Sequence, residues 1–448
     1  MVKLRNIILL ICLTAAGGLT AQRSVSDSGL SGEAGHASIA FRGAWIATVA
    51  NIDWPSPEAV GNTEKQQAEM VWILDSLESL GINAIIFQVR PTSDALYYSE
   101  LEPVSHWLTG KQGSWEGSWD DPIVNGKCPN GKCLDPLEWT IDEAHARNME
   151  VHVWLNPYRV NLATTDTSIL APNHLMRRHP EWFWCYNKQW YFDPGLDETR
   201  EWICTIVQDI VERYDIQAIH MDDYFYPYPV GGKALPDEPT FARLPRGYED
   251  IKEWRRNNVD MAIQDISATI RACRPGVQFG ISPFGVWRNA DVDSTGSATK
   301  AGITNYDDLY ANIRLWIQAG WIDYVLPQLY WEIGKKVADY EVLAHWWANE
   351  IKRARELNPT NTCRLYIGMA PYRLENTSPK GKTNAWNTGN EIGRQMHLNR
   401  TIPEIAGECF YSTRPLLRNP RHVCDSIKAV YSESEKKDSA QDFTLPRE

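Results

Sequence analysis

Apolar residues along this chain fall into eight short runs, and between the runs they recur at the three-to-four residue spacing of helices. The runs are Arg42 to Val49, Ala84 to Val89, Val151 to Asn156, Ala218 to Asp222, Gln278 to Pro283, Tyr324 to Tyr330, Leu365 to Ala370 and Ala406 to Tyr411. Several are apolar throughout, the pattern of strands buried on both faces. Asn62 or Thr63 can cap a helix carrying Val71, Trp72, Leu74 and Leu77 on one side and ending at Gly81. Further helices are predicted over Pro136 to Asn148, Glu198 to Tyr214, Tyr248 to Arg274, Tyr306 to Ala319, Tyr340 to Leu357, Glu391 to Leu398 and His422 to Tyr431. An α/β chain in which eight strands are each followed by a helix predicts a closed (β/α)8 TIM barrel. An open doubly wound sheet is the alternative, but no Gly-rich phosphate loop follows the first strand.

The βα loops Thr92 to Pro136, Tyr158 to Asp197 and Tyr224 to Tyr248 are far longer than such connections require, which marks them as functional and places them on the barrel's catalytic face. Outside the barrel, expected over residues 39–431, the chain reads as a signal peptide (1–21), a polar leader (22–38) and a polar, frayed C-terminal tail (432–448). Lys3 and Arg5 before a short apolar run and then small residues are the layout of a secretory signal, so the protein is expected to be secreted or periplasmic. No later segment reads as a membrane span. The net charge of −12 argues against nucleic acid as a partner, since phosphate binding needs a basic face. Cys128 and Cys133 suit a small loop disulfide better than a zinc site, which would lack two ligands. The other mature cysteines are expected to be buried thiols.

The segment QAIHMDDYFYP, Gln217 to Pro227, runs a strand straight into Asp222 and Asp223 and then into aromatic rings. At the C-terminal tip of a barrel strand such carboxylates are catalytic candidates, although Asp after a strand also caps turns. Period-two alternation puts Ala218, His220 and Asp222 on one face, inside the barrel. Polar groups gather at other strand ends: Arg90, Asn156, Tyr158, Arg159, Ser282, Gln328, Tyr330 and Tyr372, with Arg42, Trp45, Tyr224 and Arg288 as further binding candidates. Trp54, Trp107, Trp115, Trp119, Trp182, Trp184, Trp190, Trp287 and Trp331 lie near loops, where indole faces could stack on sugars or simply pack loops onto the barrel. Glycoside cleavage calls for a second carboxyl about 5 Å away for retention or roughly 6.5 to 9.5 Å for inversion. Glu332, in PQLYWEIG, is the expected acid/base, with Asp53, Asp94 and Asp193 in reserve. His220 reads as a structural hydrogen-bonding residue, no metal motif is present, and no cofactor is expected.

The segments FRGAWIATVANIDWPS, IIFQVRPTSDALYYS, HVWLNPYRV, IHMDDYFYP, GISPFGVWRN and LPQLYW together resemble the glycosyl hydrolase-like 10 family of secreted bacterial proteins, from about Phe41 to Tyr411. The resemblance implies a (β/α)8 barrel assigned to glycoside hydrolysis, some of whose relatives act on peptidoglycan glycan strands stripped of stem peptides. The fourth-strand motif also resembles the nucleophile strand of α-glycosidase-type barrels, which would make Asp222 the attacking carboxylate. Ser114 to Leu134 departs from the family pattern as an insertion at the cleft rim. Two readings of function follow: a glycosidase acting on a polysaccharide or glycan strand, or a carbohydrate-binding protein on an inactive barrel. A glycosyl transferase using the same site is a third.

Overall fold

A computed structural model describes residues 41–116, 119, 134–162, 164–375 and 385–442. The signal peptide, the leader and the Cys128–Cys133 pair lie outside the described residues. In chain order the strands are β1 (Phe41–Ile46), β2 (Ala84–Arg90), β3 (Glu150–Leu155), β4 (Phe183–Tyr186), β5 (Gln189–Phe192), β6 (Ala218–Met221), β7 (Gln278–Ile281), β8 (Tyr324–Val325), β9 (Arg364–Met369) and β10 (Ile405–Phe410). All eight expected strands pair in parallel into a closed barrel, in the order β1-β10-β9-β8-β7-β6-β3-β2. β4 and β5 form a separate antiparallel hairpin in the long loop after β3.

Alternation along the strands divides the apolar side chains into two groups. Phe41, Trp45, Ile86, Trp154, Ala218, Tyr324, Tyr366 and Cys409 cluster inside the barrel, while Ile219, Met221, Ile85 and Phe87 join the larger core between strands and helices. Glycines make room for the interior rings. His220 of β6 is level with Gly280 of β7, and a Cβ on Gly280 would lie 1.8 Å from the Tyr324 ring.

Helices follow the expected strands and start at polar caps. Asn62 accepts from the Lys65 N–H to begin Thr63–Ser79, and Asp135, Asp250 and Asp339 cap Pro136–His145, Ile251–Cys273 and Tyr340–Leu357. Three expectations are corrected. The helix expected over Tyr306 to Ala319 is two short ones, Asn305–Asp308 and Ile313–Gln318, because Tyr310 between them takes a φ of 55°. The loop after β3 contains the β4–β5 hairpin, turned by Asn187 and Lys188, both at positive φ as a tight two-residue hairpin turn requires. The tail expected to be frayed from residue 432 is helical as far as Asp442, in Val423–Asp442, consistent with the Glu, Lys and Ala that populate it, while residues 443–448 lie outside the described residues.

No helix among the described residues is long and apolar enough to cross a membrane. The described cysteines, Cys185, Cys204, Cys273, Cys363, Cys409 and Cys424, are free thiols, three of them buried.

Candidate active site

Asp222 stands one residue beyond β6, at the C-terminal mouth of the barrel. Three N–H groups hold its carboxylate: Trp154 Nε1 at 3.1 Å, Asn156 Nδ2 at 3.3 Å and the backbone N–H of Tyr224 at 3.2 Å. Asp223 accepts from the Tyr228 hydroxyl and lies beside Gln328. Both carboxyls are 4% exposed, whereas His220 below them is 0% exposed. Burial raises the pKa of Asp222, and the Arg159 guanidinium opposes the rise. Burial and then the charge of Asp222 push Asp223 up to about 7, against the Tyr228 hydrogen bond. Both carboxyls are therefore held above the ordinary carboxylate range, with three N–H donors and Arg159 working against the rise at Asp222 and the charge of Asp222 adding to it at Asp223.

Beneath the pair a hydrogen-bonded chain runs down the barrel. Ser282 Oγ meets His220 Nε2 at 2.9 Å, His220 Nδ1 meets the Tyr324 hydroxyl at 2.9 Å, that hydroxyl meets His152 Nδ1 at 2.8 Å, and His152 Nε2 meets Glu150 at 3.2 Å. A carboxylate can only accept, so His152 Nε2 donates to Glu150 at the foot of the chain. Burial, and then His152, lower the pKa of His220 well below its ordinary value, so it stays uncharged. Its role is to set the floor of the site. Among the described residues no group of three or more His, Cys, Asp or Glu is placed to hold a metal ion.

Tyrosines wall the opening. Tyr330 stacks on Tyr411 at 5.9 Å and meets Tyr372 edge-on at 5.8 Å, while Tyr224 stacks under Arg159 at 4.9 Å and leans on Tyr228 at 5.4 Å. Tyr411 is close enough to feel the charges of Asp53 and Asp222. Aromatic contacts continue outward from Tyr228 to Phe284 at 6.2 Å and from Phe284 to Trp331 at 5.4 Å. Phe284 and Trp331 line a hollow of about 300 Å³ with Lys300 and Val337. A second hollow of about 290 Å³ lies between the loops after β2 and β3, lined by Trp107, His106, Val160 and Asn161.

The structure therefore brings together Asp222, Asp223, Asn156, Arg159, His220, Tyr224, Ser282, Gln328, Tyr330, Trp331 and Tyr372, with Trp45 packed edge-on against His220 and Tyr411. Several other candidates are committed elsewhere. Arg42 is the second residue of β1, at the far end of the barrel, and packs on Tyr431. Arg90 is wholly buried, paired with Glu102 and donating to the carbonyls of Asn156 and Pro157, so it braces loops. Trp54 donates to the Gln66 carbonyl in the outer core, and Trp287 stacks on Trp346 under the Arg314 guanidinium. Arg288 is paired with Asp307 and Asp293, and Tyr158 is buried. Asp94 is buried and binds Thr92 and Gln112, while Asp193 binds Gly195 and Thr240. Asp53 joins the loops after β1 and β10, accepting from Ala47, Ser412 and Arg414.

Glu332 does not have an acid's surroundings. It is paired with Lys335 at 3.0 Å and accepts from Trp386 Nε1 at 3.0 Å. Burial pushes its pKa up, but its own backbone N–H, Lys335 and Trp386 outweigh that and leave it below the ordinary value. Sequence reasoning passed over Trp154, Tyr228 and Tyr411. Trp154 was findable, because alternation on β3 puts it on the interior face, level with His220. Tyr228 carried no signal beyond its place in an aromatic loop.

A closed parallel barrel with a carboxylate pair at its C-terminal mouth places the chain among the (β/α)8 proteins that keep a reaction centre at that face. The glycosyl hydrolase-like 10 family matches residues 40–387, and the chain belongs to that family. It is 43% identical over 394 residues to "Glycosyl hydrolase YngK" of Bacillus subtilis (strain 168), covering 88% of this chain and 72% of that protein. It is 38% identical over 386 residues to "Glycosyl hydrolase DigH" of Escherichia coli (strain K12), covering 83% of this chain and 82% of that one. Among solved structures it is similar to the PgaB (BpsB) glycoside hydrolase domain from Bordetella bronchiseptica, with TM-score 0.50 and 11% identity over 87% of this chain and 98% of that one. The catalytic domain of β-amylase from Paenibacillus polymyxa gives TM-score 0.51 and 11% identity over 89% and 99%. At such identities the likeness is one of fold alone.

Proposed function

We propose that the protein is a glycoside hydrolase that cleaves O-glycosidic bonds within a glycan chain, peptidoglycan glycan strands being the substrate its sequence resemblance favours, and that it works outside the cytoplasm behind a cleaved signal. The observation that carries this reading is the Asp222–Asp223 pair, two adjacent carboxyls at the barrel mouth, Asp222 held by three N–H donors and Asp223 by the Tyr228 hydroxyl and raised to about 7. Asp222 supplies negative charge to an oxocarbenium-like transition state, and Asp223 replaces Glu332 as the proton donor and acceptor. The tyrosine wall and the hollows lined by Phe284 and Trp331 and by Trp107 offer a chain of sugars aromatic faces.

The test incubates the protein with intact peptidoglycan, bare glycan strands and α-glucans and identifies the released products by mass spectrometry. Asp222→Asn keeps the shape and removes the charge, and a fall in turnover of roughly 100- to 1,000-fold is expected. Binding of glycan without any released product would make the protein a carbohydrate-binding barrel instead. Transfer of a glycosyl unit to a second glycan would mark a transferase.

A further inference from the structure

We propose that the nucleophile belongs to the substrate: the site cleaves at a 2-acetamido-2-deoxy sugar by neighbouring-group participation, Asp222 holding the acetamido N–H and Asp223 carrying the proton. The inference rests on the glycosidase reading above and names the nucleophile that reading leaves open.

Direct attack by a protein carboxylate needs two carboxyls flanking the scissile bond, one on each side. Asp222 and Asp223 are consecutive residues at one strand end, and both come to the mouth from β6. The other acidic side chains that the strand ends offered are occupied. Glu332 is tied to Lys335 and Trp386, Asp53 to Ala47, Ser412 and Arg414, Asp94 to Thr92 and Gln112, and Asp193 to Gly195 and Thr240. Among these residues none is left to face the pair from across the opening.

Asp222 is also poorly suited to attack. A carboxylate offers about four acceptor positions, and three N–H groups already fill three of those of Asp222, drawing charge from both oxygens and fixing their direction. One position remains, enough to accept one further N–H. An acetamido group at C2 presents that N–H and, on its other side, a carbonyl oxygen able to reach C1. Substrate-assisted cleavage asks the protein for two things, a fixed carboxylate for the amide and a neighbouring acid for the leaving oxygen, and the adjacent pair offers both from one strand end.

The bonds balance without any further reactant than water. The acetamido oxygen bonds to C1 as the C1–O bond to the leaving sugar breaks, and the Asp223 proton goes to the departing oxygen. The resulting oxazolinium N–H is held by the Asp222 carboxylate. Asp223, now a carboxylate, takes a proton from water as the water oxygen bonds to C1. The C1–O bond of the oxazolinium breaks as that new bond forms, restoring the acetamide with the anomeric configuration retained.

The test uses the full-length wild-type protein. Its substrates are bare glycan strands in N-acetyl, N-trifluoroacetyl and de-N-acetylated forms, and its inhibitor is N-acetylglucosamine thiazoline, a stable mimic of the bicyclic intermediate. Expected results are cleavage of the N-acetyl strands, a rate lower by about 100-fold for the trifluoroacetyl form, none for the free amine, and competitive inhibition by the thiazoline. Equal rates across the series, cleavage confined to α-glucans, or a covalent sugar on Asp222 captured with a 2-fluoro glycoside would overturn the inference while leaving the glycosidase reading intact. Failure to cleave any glycan sinks both.

Discussion

At the scale of single residues, the site depends on how two neighbouring aspartates are held. The sequence placed Asp222 at the barrel mouth, because strand alternation and an apolar lead-in locate it without coordinates. It could not rank the acids, since pKa depends on burial and on partners far apart in the chain: Trp154 and Asn156 lie 68 and 66 residues from Asp222. Glu332 was attractive for its position after a strand, and only folding reveals Lys335 and Trp386 on its oxygens. The groups facing Asp223 include Asp222, Tyr228, Gln328, Tyr224 and Tyr330, and they predict a pH effect with a definite sign. A proton donor at about 7 must be protonated to act, so kcat/KM should fall as pH rises through that value. The Tyr228 hydroxyl favours the ionised form, so in Tyr228→Phe the alkaline limb should move to higher pH by about one unit. A limb that stays in place, or moves down, would remove Asp223 from the role of acid.

Elements were more legible than roles. Each barrel strand announced itself by an apolar run, and the caps at Asn62, Asp135, Asp250 and Asp339 follow from residue chemistry at helix starts. What escaped were elements made by exceptions to the dominant pattern. FWCYNKQWYF alternates about a two-residue turn and could have been read as a hairpin, but its aromatic density drew attention to sugar stacking instead. The break at Tyr310 is invisible locally, because an aromatic residue at φ 55° is imposed by its surroundings rather than preferred. The tryptophans teach the same lesson, for Trp54, Trp184 and Trp287 are buried in the core, and tyrosines from several strand ends and the loop after β6 wall the cleft. The strand interior also imposes a strict requirement at β7. Gly280→Ala forces a methyl to within 1.8 Å of the Tyr324 ring, whose hydroxyl joins His220 to His152. Overpacking there should cost about 3 kcal/mol, read as a lower urea midpoint with the m-value unchanged. Wild-type stability in that variant would mean that the interior repacks freely.

For the whole molecule, buried ionisable groups make stability depend on pH in opposing ways. Burial raises Asp53 to about 6 and Asp260 to about 7, so both bind a proton more tightly when folded. As pH climbs from about 4, the unfolded value for Asp, through these folded values, the fold loses stability. Burial lowers His174 to about 4 and His220 well below its ordinary value, so as pH falls below about 6.5 the unfolded chain takes up protons that the fold refuses. The two trends oppose each other in the wild-type protein, and a single substitution separates them. Asp260 lies on the outer helix Ile251–Cys273 and accepts from Trp316 Nε1 at 2.6 Å, away from the barrel mouth. Asp260→Asn keeps an acceptor for the indole N–H and removes the charge that burial opposes. The variant should match the wild type at pH 4, where the folded aspartic acid is already neutral, and gain on the order of 1 kcal/mol above pH 7. Urea unfolding of both proteins from pH 4 to 8 decides it, because a gain that is constant with pH would assign the effect to packing rather than to the proton.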